Sequence, residues 1–116
     1  MRAVPAVFAA AAALVGAGTA FAHHGWSSYQ TDLVTVEAAV KTADWANPHG
    51  SITVDHAGRT WNVVLAPVAR MEARGLTAAD IKPGSRVKLE GYVARDGSPE
   101  MRIERITAAG KTVELR

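Results

Sequence analysis

The chain contains no cysteine. An exported copy is therefore held together by packing and not by disulfides, and soft-metal chemistry would fall to histidine, methionine or the amino terminus. Strong charge of either sign is also missing, since 13 basic residues face 11 acidic ones; this gives no electrostatic case for binding nucleic acid or an anionic membrane. No HExxH pair, GxSxG elbow or phosphate-cradling glycine loop occurs, and Ser27 and Ser28 near His24 are too local to make a triad, which needs a positioned base and a group to orient it. These absences argue against an enzyme. Repeats and low-complexity segments are absent beyond the opening residues.

What is present begins with "MRAVPAVFAAAAALVGAGTAFA", residues 1–22. One early positive charge, Arg2, precedes an apolar stretch that ends in small residues, the pattern of a secretory signal peptide. Ala20 and Ala22 stand at the −3 and −1 positions of an A-x-A site, which places cleavage before His23. A spanning helix needs about 20 apolar residues; this run is shorter, is interrupted by Gly16 and Gly18, and has no basic stop signal after it. Removing residues 1–22 from 116 leaves 94 residues, which suits one domain with a modest core. The expected destination is the periplasm.

Residues 23–33, "HHGWSSYQTDL", show no sustained period and read as an irregular arm. From Val34 the pattern changes: Val34, Val36, Ala38 and Val40 share one parity, which predicts a long first strand. "NPHG" breaks it, and "SITVDHAGRTWNVVLA" reads as a hairpin turning over His56–Gly58. Val68, Met71 and Glu72 then take helical offsets after Pro67, with Gly75 as terminator and Thr77 as N-cap of one further turn. The remainder reads as strand, "DGS" turn, strand, "AAG" turn and a short last strand, with Gly91 marking a bulge and a change of phase near Arg105. Residues 34–116 are thus expected to form one mainly β domain: a five- to six-stranded antiparallel OB-like barrel with a short helical insertion between strands 3 and 4. An open antiparallel sheet packed by the helix is the rival arrangement.

The candidate site is the processed amino terminus. A free amine on His23 has a pKa near 8 and can chelate with the imidazole; a second imidazole completes the tetragonal nitrogen set that Cu(II) prefers. His24 supplies that imidazole, or joins a site with the deprotonated peptide nitrogen. Cleavage after Ala20 would instead put His23 third, where a square-planar Cu(II) or Ni(II) chelate forms. His49, in "DWANPHG", is the candidate third side, provided that the arm folds back along the barrel. Ten extended residues span about 33 Å, so reach is not limiting. The bland readings are a solvated junction for His23 and His24, an exposed loop position for His49 and a turn position for His56. Met71, Met101 and Trp61 are expected in the core.

Taken together, "HHGWSSY", "WANPHG", "ARGLTAADIKPGSRV" and "GYVARDGSPEMR" resemble a family of small exported proteobacterial proteins of unknown function. In that family a His-His-Ser-Phe-like opening, a Trp-x-Asn-Pro-His turn and a Lys-Asp-Gly-Ser-like hairpin recur in this order. The resemblance spans residues 23–116 and points to His23, His24, Trp45, Asn47, Pro48 and His49, with Gly84, Gly91, Asp96 and Gly97 as structural positions. Gly25-Trp26 replaces the usual Ser-Phe, keeping an aromatic anchor. The resemblance implies export and a shared fold but no activity.

The leading expectation is a periplasmic, non-enzymatic metal-binding protein, most readily for copper, using His23, His24 and His49. The rivals are an envelope protein-interaction module that presents Trp26 and Trp45 to a partner, and a small-ligand-binding OB-like domain, both without metal.

Overall fold

A computed structural model of the protein describes residues 25–116. Six strands make up nearly half of that span: β1 (Val34–Asp44), β2 (Ser51–His56), β3 (Arg59–Val64), β4 (Arg86–Val93), β5 (Glu100–Ala108) and β6 (Lys111–Glu114). A short helix, α1 (Val68–Ala73), and one 3-10 turn, Ala78–Ile81, lie between β3 and β4. Among the described residues no helix is long and apolar enough to cross a membrane.

The first strand is long because it serves two neighbours. Its first half, Val34–Ala39, pairs with β4, and its second half, Val40–Asp44, pairs with β2. The register slips between Val40 and Thr42, so Lys41 is an extra residue, and such a bulge bends and twists a strand. β3 then meets β5, which closes five strands into the expected OB-like barrel, with β6 added along the far half of β5.

The antiparallel expectation needs one refinement. Every pairing among the described strands is antiparallel except β3 with β5, which is parallel. Five strands cannot alternate direction all the way round a ring, so an odd-numbered barrel must contain a parallel seam.

Alternation along the strands builds the core. Val36, Ala38 and Val40 on β1, Ile52 and Val54 on β2, and Val63 on β3 are all buried, with Val87 and Leu89 from β4. On β5 the buried residues are Met101, Ile103, Ile106 and Ala108. The change of phase between Ile103 and Ile106 arises because Gly91 pairs with Ile103 while Glu90 pairs with Arg105. Glu104 is the unpaired residue, so the bulge falls on β5 opposite Gly91. A Cβ on Gly91 would overlap the Arg102 carbonyl oxygen and lie 2.8 Å from the Ile103 Cα. Only glycine permits the two backbones to come this close.

The helical insertion plugs the end of the barrel where β1 finishes. Met71, Leu76 and Ile81 are fully buried there. Gly75 follows the helix at φ +95°, a conformation that costs glycine little and ends α-helices. The next turn is held by Asp80, whose carboxylate accepts hydrogen bonds from the Thr77 amide (2.9 Å) and hydroxyl (3.0 Å), and forms an ion pair with Lys111. From the helix, Arg70 donates to the Leu115 carbonyl and Arg74 to those of Glu114 and Arg116, so the plug also grips the end of the chain.

Candidate functional site

His23 and His24 lie outside the described residues. The arm that leads from them is described from Gly25, and it is fastened to the barrel. Trp26–Ser28 forms one 3-10 turn, with the amides of Ser28 and Tyr29 donating to the carbonyls of Gly25 and Trp26. Tyr29 bridges to Ala94, the Gln30 amide donates to Val93, and the Arg95 amide donates to Ser28. The Arg95 Nε donates to the Ser27 carbonyl at 2.9 Å. The sequence read these residues as an irregular arm; in the structure they make short, specific contacts with the β4–β5 hairpin.

Two aromatic rings carry this attachment. Tyr29 is only 1% exposed, and its hydroxyl donates to Glu100 Oε2 at 2.6 Å. Burial first, then the hydrogen bond and the negative charge of Glu100, push the Tyr29 phenol well above its ordinary pKa. Trp26 meets the ring of Tyr92 edge to face, at 5.9 Å between centroids, and the guanidinium carbons of Arg102 and Arg116 lie 4.4 and 4.3 Å from its own centroid. Such cation–π contacts attract through the ring quadrupole. Burial foremost, opposed by Tyr29 and reinforced by the positive charges of Arg70 and Arg116, lowers the Arg102 pKa. Neither Arg102 nor Arg116 stood out in the sequence, because each gains its role from a residue far away along the chain.

The Asp44–Gly50 loop sits at the far end of β1. Trp45 is half-buried and packs against the core, so much of the ring proposed as a contact serves the fold. Asn47 and Pro48 are exposed and joined by a cis peptide bond, and His49 is half-buried. Gly50 returns the chain to the barrel: its amide donates to Ala66 and its carbonyl accepts from Leu65. Just beyond it, Ser51 pairs with Val64, Val64 with Arg102, and Arg102 with Tyr92. One rung of the barrel therefore carries both the end of the His49 loop and the residues that hold Trp26. Among the described residues no three histidine or carboxylate side chains gather in a way that could hold a metal ion.

The other end of the barrel, away from α1, is open. His56 lies on the parity of Ile52 and Val54 at the end of β2, and with Trp61 it lines a cavity of about 220 Å³. His56 is exposed beside the turn, as expected of a solvated turn residue, and its parity with Val54 sets it at the rim of that cavity.

The chain finds no match among curated proteins. Among solved structures it is similar to a chain in the crystal structure of the S. pombe Stn1–Ten1 complex, with a TM-score of 0.53 and 17% identity, covering 68% of this chain and 59% of that one. At that identity the likeness speaks for the fold alone, and the matched region is little more than half of the other chain. A family model matches residues 11–102, well over half of the chain and all of the barrel up to the start of β5. The chain belongs to this family, a family of unknown function (DUF6152).

Proposed function

We propose that the protein is a periplasmic, non-enzymatic metal-binding protein that takes copper through the amino terminus created by signal cleavage. The observation that carries this reading is the placement of His23-His24 directly after the Ala20-x-Ala22 site. Cleavage there produces an amine, an imidazole and a second imidazole in succession, a nitrogen-rich set suited to Cu(II). The amine titrates near pH 8, so a metal displaces its remaining proton at modest cost. His49 is the further ligand in this proposal.

The course of the arm supports it. Trp26 is held against Arg102, two strand spacings from Ser51, or about 10 Å. Three extended residues from Trp26 to His23 reach about as far. A chain tethered at Trp26 thus has the span to bring an amino-terminal chelate to the neighbourhood of His49.

Calorimetric titration of Cu(II) into mature protein beginning at His23, beside protein carrying one extra amino-terminal residue, tests the reading. One tight equivalent is expected for the mature form, with at least tenfold weaker binding after the extension. Equal affinities, or no binding, would overturn it. Replacing His24 and His49 singly and together then separates a composed site, in which the double change costs less than the sum of the single changes, from a loose tail, which does not respond to His49.

A further inference from the structure

We infer that the open mouth of the barrel is a binding site for a small uncharged molecule with an aromatic or branched aliphatic body and one hydrogen-bonding group. This site shares no residue with the amino-terminal histidines and stands whether or not they bind metal.

The mouth lies where β1 begins, β2 turns into β3, β4 ends and β5 begins. Buried Val36 and Met101 form its deeper part, and half-buried Val34 and Val93 form its sides. No lysine, arginine, aspartate or glutamate lines it. A charged ligand would lose hydration here without a partner in the lining, which is costly, and the neighbouring Arg59 guanidinium is already engaged with the Trp61 ring and the Gly97 carbonyl; an uncharged apolar ligand leaves water at no such cost. The cavity of about 220 Å³ compares with roughly 150 Å³ for an apolar protein cavity that takes up benzene. It accommodates a bicyclic ring of indole size.

The wall is also held in shape before a ligand arrives. The Trp61 indole donates from Nε1 to the His56 carbonyl at 3.0 Å, and the Arg59 guanidinium lies 5.3 Å from its ring centroid. Arg59 in turn reaches the Gly97 carbonyl beside the β3–β5 seam, tying the two hairpins that frame the opening. A flat aromatic face fixed in this way loses little freedom on binding, the usual advantage of a preorganised site. His56 at the rim has a ring that can donate or accept one hydrogen bond.

The test uses the mature chain with labelled methyl groups, titrated with indole and phenol and, as charged counterparts of similar size, benzoate and benzylammonium. Saturable shifts at the Met101, Val34 and Val93 methyls and the Trp61 indole proton are expected with the uncharged probes, with binding at least tenfold weaker for the charged ones. Val93→Phe, which fills the mouth, should lower indole affinity at least tenfold. His56→Trp, at an exposed rim position on the parity of Ile52 and Val54, should do so without touching the core, and covers the case in which Val93→Phe fails to fold. Absence of saturable shifts, shifts away from the mouth, or unchanged affinity in His56→Trp would overturn the inference. Self-association through the mouth, seen as shifts that depend on protein concentration, would do the same.

Discussion

The Tyr29 hydroxyl donates to Glu100 Oε2 across 71 residues of sequence, at 2.6 Å, from a ring that is almost wholly buried. Glu100 also accepts from the Asn62 side-chain amide, so one carboxylate joins the arm, β3 and β5 close to the parallel seam. Removing the hydroxyl alone should therefore be felt in global stability. Tyr29→Phe is expected to cost about 1.5 kcal/mol, in the range for hydrogen bonds to charged groups. Urea denaturation of residues 23–116 measures this, and a loss under about 0.3 kcal/mol would refute the assigned role.

The same pair sets an alkaline limit. The folded phenol holds its proton more tightly than the unfolded one, so its contribution is fully present below an unfolded tyrosine pKa of about 10 and declines as pH rises beyond it. Tyr92, half-buried and hydrogen-bonded to Glu104, is shifted in the same direction and adds less. Stability measured between pH 8 and 11 should be level at first and then fall, and Tyr29→Phe should flatten most of the fall. An equal slope in the variant would assign the effect elsewhere.

Gly91 permits the bulge at Glu104 because nothing larger fits against Arg102 and Ile103. Gly91→Ala should cost about 3 kcal/mol or more, since the obstacle is backbone and cannot rotate away. The readout is soluble yield together with thermal midpoint; wild-type values for both would show that the strands separate more easily than this geometry allows.

Ala109 holds φ +51° in the β5–β6 turn, ahead of Gly110 at +76°. Two consecutive positive φ values mark the hairpin turn that favours Asn-Gly, and the left-handed region is unfavourable for alanine. Ala109→Asn should stabilise the protein by about 0.5–1 kcal/mol, visible as a rise of roughly 2–8 °C in melting temperature. No rise would mean that the turn is equally comfortable with alanine.

Trp26 tethers the arm through Tyr92, Arg102 and Arg116. In Trp26→Ala the amide of Arg95, bonded to Ser28, should exchange hydrogen at least tenfold faster, while amides in the β1–β2 ladder keep their protection. If both sets accelerate together, the arm is part of the cooperative core and not a separately opening element.

The barrel was legible in the sequence to the extent that local pattern encodes it. Val34, Val36, Ala38 and Val40 alternate; Ala57-Gly58 and Asp96-Gly97 mark turns; Gly75 and Thr77 punctuate the helical insertion. Each of these signals acts within a few residues. The candidate site divides in the same way: His23, His24 and His49 were visible by residue type, whereas the partners of Trp26 and the mouth lined by Trp61 and His56 were not. Arg102 and Arg116 read as ordinary strand and terminal charges until the fold brings them to an indole 76 or more positions earlier.

Sequence by itself determined the strand phases, the turns and the insertion, because side-chain periodicity and backbone preference are properties of neighbouring residues. Tertiary structure alone decided that Lys41 and Glu104 would be the bulged residues, that β3 and β5 would meet in parallel, and that the polar-looking arm would bury Tyr29. It also left the barrel plugged at one end and open at the other. These outcomes depend on closing a ring of strands, where pairing across the whole chain overrides the preferences of any single segment.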